Sequence, residues 1–145
     1  MSHKTELELL NIACDNESNA HILSLTTEKI MKTKVGIVDE LPISHQEKIV
    51  LIQKLNGYRY VDEIHELKNG AFLRWIDMRD IDNISLMSGA FFCEIIFTDD
   101  NTCMRMRNIR GRYFELKMDD VILFQKLSPQ EKVLLSALSY MADAK

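Results

Sequence analysis

The sequence predicts an α+β fold: a small antiparallel β-barrel or strongly bent sheet, of SH3-like size, with helices before it and one helix after it. Three observations predict this. Apolar residues recur at helical spacing in residues 4 to 56, short segments of alternating apolar and polar residues fill 57 to 127, and a capped amphipathic stretch occupies 129 to 142. At 145 residues the chain has the size of one domain and can bury roughly two thirds of the surface its unfolded form exposes. A single domain over residues 1–145 is therefore expected.

In the first region Leu7, Leu10 and Cys14 fall at helical spacing, and Ile22, Leu25 and Ile30 lie among good helix formers before Gly36. A sharper start follows in SHQEKIVLIQKL. The Ser44 hydroxyl can accept from an early amide while Glu47, three residues on, reaches back to the cap, and this helix should end near Asn56-Gly57. The same grammar returns in SPQEKVLLSALSYM, where Ser128 caps, Pro129 suits the first helical position and Glu131 completes the box. Val133, Leu134, Ala137, Leu138 and Met141 then form one apolar stripe. The shared S-x-QEK pattern needs no internal duplication, because capping rules alone produce it.

Between these helices the period changes. After a short helical stretch, VDEIHELK, closed by Asn69-Gly70, come AFLRWIDM, GAFFCEIIFT, TCMRMRNI, RYFELKM and VILFQKL, with turn residues between most of them. The segment 79 to 89, RDIDNISLMSG, is the longest loop. Around TDDNT, a tight connection makes odd residues oppose even ones. Ile95 and Phe97 are then expected to meet Met104 and Met106 in the core, and Glu94 to meet Arg105 or Arg107 outside. The opposite parity would bury guanidinium groups among aromatic rings, at a large cost.

Charge is unevenly spread. From 102 to 117 five basic residues stand against one acidic, +4, which leaves −8 for the rest of a chain whose total is −4. Any nucleic-acid surface must therefore be local. Arg105, Arg107, Arg110, Arg112 and Lys117, with Tyr113 among them, are the candidate binding residues. Basic and aromatic side chains on a small barrel can hold phosphates and stack bases; the plainest reading of the row is a solvated outer face, with nucleic acid next and a partner-docking face after it. Trp75 is expected as a core anchor; its alternative is an exposed ring beside the 79 to 89 loop, where small barrels bind peptides or single strands.

Reaction chemistry finds little support. His3, His21, His45 and His65 are scattered without metal-ligand spacing, and Cys14, Cys93 and Cys103 form neither a disulfide framework nor a zinc knuckle. Cys93 and Cys14 read as apolar positions, buried in the sheet and on a helix face respectively. Acidic pairs at 39–40, 62–63, 99–100 and 119–120 would support a metal-dependent hydrolase only if two of them came together, and each has a local role in turns or caps. No phosphate-binding glycine loop or nucleophile elbow occurs. No catalytic residue, metal ligand or cofactor is assigned.

The amino terminus is polar, and no run of about 18 apolar residues occurs, so neither a signal peptide nor a membrane span is expected. A reducing intracellular compartment fits the three unpaired cysteines.

Two segments, GYRYVDEIHELKNGAFLRWID and GRYFELKMDDVILFQKLSPQEKVLLSAL, resemble parts of small uncharacterised proteins of the nucleocytoplasmic large DNA viruses, the mimivirus-like group. The matching positions are Glu66, Leu67, Gly70, Leu73, Arg74 and Trp75, then Phe114, Lys117, Met118, Phe124, Lys126, Leu127, Ser128 and Glu131. Leu73 stands where the pattern has Ile. The resemblance spans about residues 57 to 140 and implies an intracellular viral protein, in a host cytoplasm, with a scaffold or interaction role and no catalytic residues. The leading expectation is a non-enzymatic protein-interaction module with an unidentified protein partner. The alternatives are a nucleic-acid binder using the 105–117 face and, behind it, the hydrolase.

Overall fold

The structure, a computed structural model, describes residues 26 to 143; the expected helix positions Leu7, Leu10, Cys14, Ile22 and Leu25 lie outside the described residues. The chain divides into two compact units. The larger is Lys34–Lys126, and of the other residues 26 to 33 and 127 to 143 are described.

In the smaller unit, helix α1 (Thr27–Asp39) begins, its Lys29 amide donating to the Thr26 hydroxyl at 3.1 Å. Helix α3 (Pro129–Asp143) starts with the expected reciprocal box: the Glu131 amide donates to Ser128 Oγ at 3.1 Å and the Ser128 amide to Glu131 Oε1 at 2.9 Å. Leu134 and Leu135 pack with Ile30 and Leu127. The stripe thus differs from expectation: Leu135 is buried, Val133, Ala137 and Leu138 are half-buried, and Met141 is exposed. Helical spacing defines several overlapping stripes, and the partner surface selects among them. Ser128→Ala should lower unfolding stability by about 1 kcal/mol in a denaturant titration, because one early amide loses its acceptor.

The larger unit holds the rest of α1, helix α2 (His45–Lys54) and six strands: β1 (Tyr58–Val61), β2 (Phe72–Asp77), β3 (Ala90–Phe97), β4 (Thr102–Arg107), β5 (Tyr113–Lys117) and β6 (Val121–Lys126). At the start of α2 the Glu47 amide donates to Ser44 Oγ at 3.2 Å, while the Glu47 carboxylate accepts from the same hydroxyl rather than from the backbone. The strands make one antiparallel sheet in the order β1-β6-β2-β3-β4-β5. It is not a closed barrel, since β1 and β5 remain its edges.

The sheet is nonetheless curled. Its inner face gathers Val61, Leu73, Trp75, Ala90, Phe92, Met104, Met106 and Leu123 into one core against Phe114 and Leu116. Trp75 on β2 and Phe114 on β5 lie three strands apart, roughly 14 Å in a flat sheet, yet their ring centroids are 5.9 Å apart. A β-bulge at Cys93, where the β3–β4 register shifts between Phe92 and Glu94, supplies a local bend. On the outer face at β1, β6 and β2, the side chains of Tyr58, Tyr60, Ile76, Ile122 and Phe124 pack with Val38 of α1, Leu51 of α2 and Leu55, which caps the end of α2. The Lys34 ammonium is buried there, donating to the Leu55 carbonyl at 3.0 Å, and burial lowers its pKa.

Two further segments are tied to the sheet. The second half of the 79–89 loop returns along β2, with Leu86 bridging Ile76 and the Met87 amide donating to the Trp75 carbonyl at 2.8 Å. Near the other end, the buried side chains of Arg59 and Gln125 hold residues 66 to 68: Arg59 and Gln125 both donate to the Glu66 carbonyl, at 3.1 and 3.2 Å, and Gln125 Oε1 accepts from the Lys68 amide at 2.9 Å. Buried polar side chains at these positions give the turn's backbone groups partners inside the sheet.

Candidate interaction surface

The outer face of β3, β4 and β5 is built as cross-strand rows. One row runs Phe91–Arg107–Tyr113 and is extended by Phe72 on β2, whose ring meets Phe91 edge-on at 5.2 Å. The next runs Glu94–Arg105–Glu115 and the third Ile96–Cys103–Lys117. Directly opposed side chains lie close enough to interact, so each row sets its own chemistry.

In the middle row Arg105 is already engaged. Its guanidinium lies 3.3 Å from the Glu94 carboxylate and 4.8 Å from the centre of the Tyr113 ring, with Glu115 opposite on β5. Of the two arginines expected opposite Glu94, Arg105 is the one that faces it, and Ile95 meets Met104. Phe97 is not in the core, however: it opposes Thr102 and is 70% exposed. Phe92 takes the place opposite Met106, because the bulge inserts one residue and reverses the inside–outside alternation before it. The same reversal puts Phe91, which unbroken alternation would set on the face of Ile95, on the outer face.

Arg107 has rings rather than carboxylates as its cross-strand neighbours. Phe91 is 40% exposed and Tyr113 58%. The row borders an open cleft of about 470 Å³, lined also by Gly70, Asn108 and Ile109. Arg110 and Arg112 sit in the exposed β4–β5 turn, which the Asn108 side chain holds by accepting from the Arg112 amide at 2.9 Å. Lys117 is exposed in the row of Cys103. Thus the structure brings Arg105, Arg107 and Tyr113 together on one face, puts Arg110 and Arg112 at its rim, and sets Lys117 two rows from Arg107.

Trp75 belongs to none of this. It is 5% exposed in the inner core, so no exposed tryptophan ring stands beside the 79–89 loop, and Phe91 and Tyr113 supply the accessible rings of the arginine row. Nothing in the local sequence identified Phe91 as accessible, because the alternation of β3 hides the inserted residue.

Cys93 is half-buried rather than buried, Cys103 is buried, and both are free thiols. His3, His21 and Cys14 lie outside the described residues, and His45 and His65 are exposed. Among the described residues no group of three or more His, Cys, Asp and Glu side chains is placed to hold a metal ion. Of the acidic pairs, one member each of two, Asp62 and Asp119, lines a shared cleft of about 320 Å³, where the Tyr60 hydroxyl donates to Asp62 at 3.3 Å. The most perturbed carboxyl is elsewhere: hydrogen bonds from Arg79, the shortest 2.6 Å, hold Asp77 down to about 2. That pair ties the last residue of β2 to the start of the 79–89 loop and has a structural role.

Fold and surface together define an α+β protein whose curled, open antiparallel sheet carries an exposed aromatic and cationic row. Among the described residues no helix is long and apolar enough to cross a membrane. Comparison with protein-family models, curated proteins and solved structures finds no match for this chain.

Proposed function

We propose that the chain is a non-enzymatic protein-interaction module that docks a partner on the Phe91–Arg107–Tyr113 row. The observation that carries this reading is the composition of that row: an arginine between two accessible aromatic rings, beside an open cleft. Arginine and tyrosine are the residue types that most often dominate binding energy at interfaces, and rings anchor at small entropic cost. Ile109, 76% exposed at the rim, adds apolar area. Arg105 is balanced by Glu94 and Glu115, whereas Arg107 meets no acid in its row, so the partner segment that fits carries a carboxylate next to an apolar or aromatic side chain.

A second reading, single-stranded nucleic acid on the same row, is favoured by the two ring faces with cations beside them. One titration separates the two. Arrayed acidic-aromatic peptides and labelled oligonucleotides are titrated with the protein at about 50 and about 200 mM salt, and phosphate binding should fall steeply between these. The expected result is micromolar peptide binding of shallow salt dependence, weakened at least tenfold by Arg107→Ala and little changed by Arg105→Ala. Steeply salt-dependent oligonucleotide binding would replace the first reading with the second. No binding of either class would remove the row as a docking site.

A further inference from the structure

Among the described residues strand β5 (Tyr113–Lys117) is an edge of the open sheet, bonded to β4 on one side only. It is five residues long, contains no proline and alternates cleanly, with Tyr113, Glu115 and Lys117 exposed on the outer face and Phe114 and Leu116 half-buried on the inner one. An edge with these properties is a template for another strand. We infer that its occupant is β5 of a second copy of this chain, antiparallel and centred on Leu116, which joins two curled sheets into one.

Centring on Phe114 would run the pairing into the β4–β5 turn and oppose no pair of opposite charges; among the remaining registers the charges of the strand select this one. Antiparallel self-pairing opposes residues whose numbers have a constant sum. Centring on Glu115 sets Glu115 against Glu115, and centring on Lys117 sets Lys117 against Lys117; like charges directly opposed are unfavourable. Centring between residues turns the apolar face of one copy to the polar side of the other. Centring on Leu116 opposes Leu116 with itself and Phe114 with Met118 on the inner face, and opposes Glu115 with Lys117 twice on the outer face. The in-chain row Glu94–Arg105–Glu115 then continues into Lys117 of the second copy, so the sign alternates across the seam. The pairing is two-fold symmetric and closes at a dimer.

Sedimentation velocity of the full chain from about 10 to about 500 µM, a range that suits a small interface, tests the inference. The wild type should move from monomer to dimer. Glu115→Lys and Lys117→Glu should each stay monomeric, since each sets like charges together at both seam positions. An equimolar mixture of the two variants should recover the dimer, because the mixed pair restores opposite charges at both positions. That recovery also shows that both variants fold. A wild type that stays monomeric throughout, single variants that dimerise like the wild type, or a mixture that stays monomeric would each overturn the inference. So would species growing beyond the dimer with concentration, which head-to-tail pairing of β5 with β1 would produce.

Discussion

Gly89→Ala should destabilise the protein by about 2–5 kcal/mol, read as a shift of the denaturant midpoint at constant slope. Gly89 ends the 79–89 loop with φ +109, a conformation that costs a side-chain-bearing residue energy before any contact is counted. A Cβ built there would lie 2.6 Å from two carbons of the Phe72 ring and 2.7 Å from the Leu73 carbonyl oxygen. The ring cannot retreat freely, since it meets Phe91 edge-on. Two costs therefore add: backbone strain, and overpacking against a ring that supports the candidate surface. Gly57→Ala separates them, because Gly57 also has positive φ, +82, but nothing lies within 4 Å of its built Cβ. That variant should lose only about 1–2 kcal/mol. Equal losses at the two positions would show that the contacts with Phe72 and Leu73 contribute nothing.

Gln125→Ala should cost about 2–4 kcal/mol by the same measurement, the sum of a small cavity and the loss of two buried hydrogen bonds. Gln125 faces Arg59 across β1–β6 and Leu73 across β6–β2, and it reaches both the Glu66 carbonyl and the Lys68 amide. Its loss should act locally first. Amide hydrogen exchange at Lys68 should rise by more than exchange at Met104, in the middle of the sheet, because the 66–68 segment loses its tie while the β3–β4–β5 ladder keeps its bonds. Uniform acceleration at both amides would mean that the segment and the sheet unfold as one.

The parts of this fold that local rules govern were legible in the sequence. Ser128 and Glu131 form their box because both partners lie within one helical turn, and Ser44 caps α2 for the same reason. That an arginine of β4 faces Glu94 followed from parity across a short connection, since a hairpin carries the inside–outside alternation from one strand to the next; the choice of Arg105 over Arg107 did not. Parity failed where an extra residue interrupts it. Past the bulge at Cys93 the alternation reverses, and Phe91 and Phe92 exchange the faces that counting assigns to them. Strand β1 went unrecognised because its four residues, YRYV, gain stability only from β6, more than sixty positions away.

The sequence by itself determined the α+β class, the sites where α2 and α3 begin, the β3–β4 hairpin and the concentration of arginine between 105 and 112. Each of these rests on interactions between residues close along the chain, which composition and spacing record. Only the tertiary structure decided that the sheet stays open, that Trp75 is interior while Phe91 is accessible, and that Glu94 and Glu115 flank Arg105 while two aromatic rings flank Arg107. These features depend on which distant strands meet and in what register, and that is settled by burying apolar side chains from all six strands against one another, a constraint that no short stretch of sequence contains.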